Sequence, residues 1–393
     1  MRPRILAAIL TALLTIGPLS GCSTIPETQR KDELSSEKYL LAKSREAEKL
    51  LDRGSQLYAS EKIVRYVNNV VRDLVAAAPG VADDFKFTVK IVRNPSLNVF
   101  ALAHGVIYIH TGTLAKIDNE AQLAALLAHE VSHVVNRHPL RTLQLKQSLA
   151  VTEGIFRVAT VAPYVNLLGA LGLLGVTAAV SGYSQQLETE ADSQAFQLIA
   201  AAGYDPKEAI KIYDFMEKDL EARKIDEPFF FSSHPSLRDR RANYAKFIAA
   251  EPITKSGRSG TERYRDTVTP LLLDNAEMDL ALGRWAWAED AIRKFIAEMP
   301  HEPRGYFQLG ELFRERLEAG DLEKAERSYQ TAIQHDPDYG PAHRGLGLVY
   351  LKLGSSGKAK DELRLYLALV PLADDRAYIE QYLKTESLGE SGS

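Results

Sequence analysis

The sequence predicts a mainly α-helical protein: an α+β domain with a small sheet, followed by an α-solenoid. Three observations carry that expectation. Residues 125–135 form an apolar, helix-favouring run that contains His129-Glu130-Val131-Ser132-His133. Phe85, Phe87, Val89 and Ile91 alternate with polar or small residues, the period of a strand. In the last third of the chain, glycine, proline and alanine recur together at intervals near 34 residues, as in stacked helix pairs. With 393 residues, 45% hydrophobic and 25% charged, the chain has the composition of a globular protein of two or three domains. A formal charge of -4 gives no reason to expect nucleic acid as a partner.

Residues 1–21 read as a lipoprotein signal peptide. Arg2 and Arg4 form a basic start, and residues 5–16 an apolar stretch too short to read first as a membrane span. Leu19-Ser20-Gly21-Cys22 looks like a bacterial lipobox. Cys22 is the only cysteine, so it cannot form an internal disulfide, but a lipidated N-terminal cysteine needs no partner. Such a signal implies the periplasm, and Ser23 after the cysteine favours, by resemblance, anchorage to the outer membrane. Residues 22–56 then read as a lipidated tether passing into a helix.

A domain expected over 57–250 begins with Ile63, Tyr66, Val67, Val70, Val71 and Leu74 at helical spacing, stopped by Pro79-Gly80. After the alternating strand, Asn94-Pro95-Ser96 is a turn, and residues 99–110 a second strand region interrupted by His104-Gly105. Asn119, with Gln122 three residues on, suits the N-cap of the HExxH helix. His138-Pro139 marks the expected end. Residues 158–187 carry no charged side chain and are long enough to cross a bilayer. A single crossing would put His133 and Glu188 on opposite sides, and two crossings need roughly 40 apolar residues. Helices buried against the domain are therefore expected there.

The chemistry lies in three places. Residues four apart on a helix share a face, so His129 and His133 project side by side and form a ready bidentate zinc site. Glu130 falls at the edge of that face, poorly placed as a ligand but close enough to take a proton from water at the metal. Glu188 and Asp192 also lie four apart on an expected helix. One carboxylate there can complete the shell, and a second one turn later can hydrogen-bond a ligand histidine and fix its tautomer. His234 follows Phe229-Phe230-Phe231-Ser232-Ser233, and Pro235 keeps it extended. Arg238, Arg240 and Arg241 follow on a helix reaching residue 250.

Residues 251–268 lose the apolar pattern, carry Ser256, Gly257, Ser259 and Gly260, and read as a linker. Over 269–384, Gly283, Gly320 and Gly354 are spaced by 37 and then 34 residues. Pro300, Pro337 and Pro371 keep the same register, as do Ala288, Ala325 and Ala359. With Leu309-Gly310, Phe313, Tyr329 and Pro337, this looks like tetratricopeptide repeats. Each glycine would sit at the turn between two helices, and each proline would end the second. The three extra residues fit at 315–319. Such arrays curve into a solenoid whose concave face can hold a peptide or partner. Residues 385–393 read as a disordered tail.

Taken together, residues from about 60 to 245 resemble the HtpX-like and CAAX-prenyl-endopeptidase family of zinc metallopeptidases. Asn98-Val99-Phe100-Ala101 looks like its substrate-edge strand, and His129 to His133 is its zinc helix. Tyr183-Ser184 followed by Glu188-Thr189-Glu190-Ala191-Asp192 resembles its ligand-bearing helix. His234-Pro235 with Arg240 resembles its later motif. The chain departs from the family at His104-Gly105, where two glycines are usual, and at Gln185, where arginine is frequent.

The resemblance implies a gluzincin-type α+β metallopeptidase domain holding one Zn2+ on His129, His133 and Glu188. Glu130 is then the catalytic base, Asp192 a support for a ligand, and Arg240 a further support. His234 would either latch the metal shut or donate a hydrogen bond to a developing oxyanion; an exposed loop histidine is the remaining reading. With the lipobox and the repeats, the chain resembles in particular the periplasmic β-barrel assembly-enhancing proteases. That implies an outer-membrane-anchored metalloendopeptidase acting on misfolded or stalled envelope proteins. Its repeats would give it a chaperone or assembly role and bind the β-barrel assembly machinery. The alternative is mainly a chaperone or assembly adaptor with latent or no peptidase activity.

Overall fold

The computed structural model describes residues 37–79, 84–142, 183–223, 237–250 and 257–389. Cys22, His234 and residues 158–182 of the uncharged stretch lie outside them. Among the described residues, no helix is long and apolar enough to cross a membrane.

The fold is mainly helical, with one small sheet. Helix α1 (Glu37–Gly54) is followed by α2 (Glu61–Ala76). Helix α2 buries the expected stripe: Ile63, Tyr66, Val67, Val70, Val71 and Leu74. It ends at Ala76, three residues before Pro79.

Strand β1 (Thr88–Val92) starts later than the alternation suggests; Phe85 and Phe87 pack against the core from the segment before it. Residues 99–110 fold back as β2 (Val99–Ala101) and β3 (Val106–His110). The sheet order is β1-β3-β2, with β1 parallel and β2 antiparallel to the central strand. Gly105 closes the hairpin at φ +98, and a Cβ there would meet the Lys86 carbonyl oxygen at 2.9 Å. No other residue suits both conditions.

The period-two pattern gives the sheet two faces. Val89, Ile91, Val99, Ala101, Ile107 and Ile109 join the main core. Lys90 and Tyr108 point the other way, toward α1. There Lys90 Nζ donates to Glu48 (2.7 Å) and Asp52 (2.5 Å), and the Tyr108 hydroxyl donates to Asp52 (2.9 Å).

After the short α3 (Thr111–Lys116), α4 (Glu120–Val135) crosses the core. Asn119 caps it as expected, its side chain accepting from Gln122 N at 2.9 Å. Every residue from Glu120 to Val134 is buried, as expected for a helix surrounded by protein rather than lying on a surface. The helix stops at Val135, earlier than His138-Pro139, because Arg137 turns the chain with φ 54. Helices α5 (Gln185–Ala201), α6 (Lys207–Arg223) and α7 (Leu237–Ala250) complete this part.

The segment expected as a linker up to residue 268 is helical from Thr261, in α8 (Thr261–Ala281). Tyr264 and Val268 are apolar anchors that the loss of periodicity concealed: both join the main core. The Tyr264 hydroxyl donates to Leu114 O at 2.5 Å, and Ala121 N donates to Ser259 O at 2.9 Å. The solenoid is thus packed directly on the domain before it.

Helix α8 pairs with α9 (Trp285–Glu298), α10 (Pro303–Arg316) with α11 (Asp321–His335), and α12 (Gly340–Lys352) with α13 (Ser356–Leu369). Gly283, Gly320 and Gly354 occupy the three inter-helix turns, all with left-handed φ. Pro300, Pro337 and Pro371 follow the second helix of each pair. The extra length falls where α10 ends and Leu317 takes φ 58. Helix α14 (Arg376–Gly389) follows, so the expected tail is helical as far as Gly389, no helix breaker standing before it. Apolar burial is continuous from Ile63 in α2 to Ala359 in α13.

Candidate metal centre

His129 and His133 project from one face of α4, and α5 packs along that face. This brings Glu188 against both rings. His129 Nε2 and His133 Nε2 lie 2.9 Å apart. Glu188 Oε2 is 3.3 Å from His129 Nε2, and Oε1 is 3.5 Å from His133 Nε2. Ligands at about 2.0–2.1 Å from a tetrahedral zinc lie about 3.3 Å from one another, so the three spacings fit such an ion. All three residues are buried. A carboxylate held this deep beside two imidazoles would be stabilised by a cation placed where the donors converge. Among the described residues, this is the only trio of potential metal donors that converges.

Asp192, one turn beyond Glu188, meets the other side of His129: its Oδ1 is 3.1 Å from His129 Nδ1. Arg240 on α7 grips the same oxygen through Nη2 (2.9 Å) and Nε (3.1 Å). Both side chains are fully buried, and the guanidinium also stacks over Tyr213 at 4.9 Å. Burial opposes the Asp192 charge, but Arg240 and His129 outweigh it and hold the carboxyl below its usual range. Arg240, expected only as a supporting residue, is brought into contact with Asp192.

Glu130 is buried on α4 beside the first histidine. The Tyr183 ring stacks on His133 at 4.0 Å and 19°. Burial pushes its phenol well up, and the nearby charges of Glu130 and Glu188 add to the shift. Tyr183 therefore sits at the edge of the centre, a position that its sequence motif did not reveal.

His138 was also missed. The proline after it made it look like a helix end, yet its Nδ1 lies 2.9 Å from His133 Nδ1. Burial lowers its pKa to about 4, against the pull of Glu190. The signal available in the sequence was a third histidine close behind HExxH.

The expected edge motif is at the free edge of the sheet, where β2 lies against α4. His110 N donates to Asn98 O, and Leu102 N to Val106 O. Alternation along an antiparallel pair then turns the backbone groups of Val99 and Ala101 outward. Among the described residues, no strand pairs with that side. Asn98 is fixed by Thr113, whose Oγ1 accepts from Asn98 N (2.9 Å) and donates to Asn98 O (3.0 Å). Phe100 stacks on Tyr108 on the α1 side.

The solenoid approaches α4 from its other end. Helix α8 packs on α2, α3 and α4. Arg263 of α8 faces Glu120 of α4 at 3.5 Å, and the Glu120 carboxylate also accepts from the Tyr66 hydroxyl of α2 at 2.7 Å. That end is about 13 Å of helix rise from His129.

Residues 61–246 match Peptidase family M48, and residues 314–354 match the TPR repeat. The Beta-barrel assembly-enhancing protease of Yersinia pestis is 28% identical over 260 residues, covering 61% of this chain and 52% of that protein. Its namesake from Escherichia coli K12 is 30% identical over 200 residues, covering 49% of this chain and 40% of the relative. The Mitochondrial metalloendopeptidase OMA1 of Arabidopsis thaliana is 28% identical over 194 residues, covering 48% of this chain and 38% of the relative. The chain thus spans about half or less of the length of these curated relatives.

Proposed function

We propose that this chain, which carries a family M48 peptidase domain with a TPR repeat behind it, is a zinc metalloendopeptidase of the bacterial envelope. The observation that carries the proposal is the convergence of His129, His133 and Glu188 donors beside Glu130. A zinc ion held by those three residues supplies a Lewis acid that lowers the pKa of water and polarises a peptide carbonyl. Glu130 accepts the proton of the attacking water and passes it to the leaving amine. Asp192, held by Arg240, keeps the proton of His129 on Nδ1 and leaves Nε2 free to ligate. A substrate strand pairs with the outward backbone groups of Val99 and Ala101, which fixes its path while reading little of its sequence. The buried walls keep bulk water from competing for these groups.

The finer proposal rests on the relatives' names and on the lipobox. Cys22 is lipidated and holds the chain at the periplasmic face of the outer membrane. Substrates are misfolded or stalled envelope proteins, and the repeats bind the β-barrel assembly machinery and give a chaperone role. The solenoid's packing on the peptidase domain supports the second reading as well, mainly a chaperone or assembly adaptor with latent or no peptidase activity.

Purified full chain, metal analysis and an unfolded outer-membrane protein separate the two. The peptidase reading expects one zinc per chain, cleavage abolished by a chelator, and cleavage restored by zinc. Zinc-loaded protein that prevents aggregation yet leaves the unfolded chain intact would favour the adaptor.

A further inference from the structure

His138 has no role in the chemistry above, yet its imidazole is fully buried against that of His133. The two rings meet at 77°, with centroids 4.9 Å apart and Nδ1 facing Nδ1 at 2.9 Å. When His133 Nε2 serves a metal, its proton stands on Nδ1, and only an acceptor can face it. His138 must then be neutral, accept through Nδ1 and carry its own proton on Nε2. That Nε2 faces Glu190 Oε2 at 3.6 Å, and Arg141 Nη1 holds the Glu190 carboxylate at 2.8 and 2.9 Å.

We propose that His138 is the positioning residue of His133, fixing its tautomer and ring orientation as Asp192 does for His129. This rests on His129, His133 and Glu188 being the metal ligands. The backbone is shaped for the contact. On an unbroken helix, a residue five places beyond His133 would be rotated about 140° from its face. Arg137 interrupts α4 with φ 54, a conformation that non-glycine residues seldom adopt, and the chain returns His138 to the Nδ1 edge of His133. The two ligand histidines are therefore held differently. His129 faces an ionised carboxylate neutralised by Arg240, and His133 faces a neutral imidazole with the Glu190–Arg141 pair one layer further out.

The test is zinc affinity of the full-length protein, measured by competition with a chelator, alongside the visible spectrum of the cobalt-substituted form. His138→Leu removes the acceptor and should weaken zinc binding about 10–100-fold, with a changed cobalt spectrum and an unaltered apo-protein melting temperature. His138→Gln supplies a carbonyl acceptor and should recover most of the affinity. Where His138→Leu does not fold, His138→Ala with added imidazole replaces it: rescued affinity supports the assignment, and no rescue overturns it. Wild-type affinity and spectrum in His138→Leu, with binding lost in His133→Ala, would overturn this assignment alone. Wild-type affinity in His133→Ala would overturn the ligand set and the assignment with it.

Discussion

Arg240 Nη2 lies 2.9 Å from Asp192 Oδ1, the oxygen that also faces His129 Nδ1 at 3.1 Å. One carboxylate oxygen thus joins α7 to the HExxH helix through α5. Removing the cation from a buried ion pair leaves an uncompensated charge, which costs about 3–5 kcal/mol. Arg240→Leu should lower the unfolding free energy by that amount in a denaturant titration. Arg240→Lys cannot reproduce the two-nitrogen grip and should fall between. An unfolding midpoint unchanged in both variants would remove this pair from the account.

The α5 helix offers two glutamates, and geometry separates them. Glu188 points at both histidine Nε2 atoms, whereas the side chain of Glu190 is 40% exposed and pairs with Arg141. Glu188→Gln should lose zinc on dialysis, because a neutral amide is a poorer ligand. Glu190→Gln should keep its zinc. The opposite result in metal analysis would move the third ligand by two residues.

Among the described residues, no strand covers the outward N–H of Ala101, which the proposed reading gives to a substrate strand. Proline removes that donor and is tolerated on an edge whose N–H faces away from the sheet. Ala101→Pro should raise KM for a peptide substrate severalfold, with zinc content unchanged and kcat altered less. Equal KM values would exclude strand pairing at this edge.

Much of this architecture is legible in the residues. The α2 stripe from Ile63 to Leu74, the Asn119 cap and the three glycine turns each rest on local rules, and local rules survive tertiary packing. The convergence of His129, His133, Glu188 and Asp192 is legible because four-residue spacing on a helix fixes a common face. Tertiary contacts concealed the rest. Nothing near Tyr264 announces that its ring enters the peptidase core, so 251–268 reads as a linker when α8 already begins at Thr261. His138 depends on a backbone reversal at Arg137, which no composition rule assigns to arginine. The Arg240–Asp192 pair joins residues 48 positions apart on separate helices.

In the solenoid, the Tyr329 ring fills the space left by two glycines. A Cβ on Gly310 would come within 2.6 Å of it, and one on Gly345 would overlap it. Gly345→Val should destabilise the repeats by about 1–3 kcal/mol through overpacking. Calorimetry should show the loss while zinc affinity stays at the wild-type value. A coupled loss of zinc would mean that the solenoid and the metal centre unfold as one unit.

In the proposed mechanism, Glu130 moves the proton in a zinc-dependent hydrolysis. The most direct measurement is the rate at which Glu130→Gln cleaves an unfolded protein, set beside its zinc content. One zinc per chain, a wild-type melting curve and a rate lowered about 100-fold or more are expected. A zinc-loaded Glu130→Gln protein that cleaves as fast as wild type would contradict that mechanism.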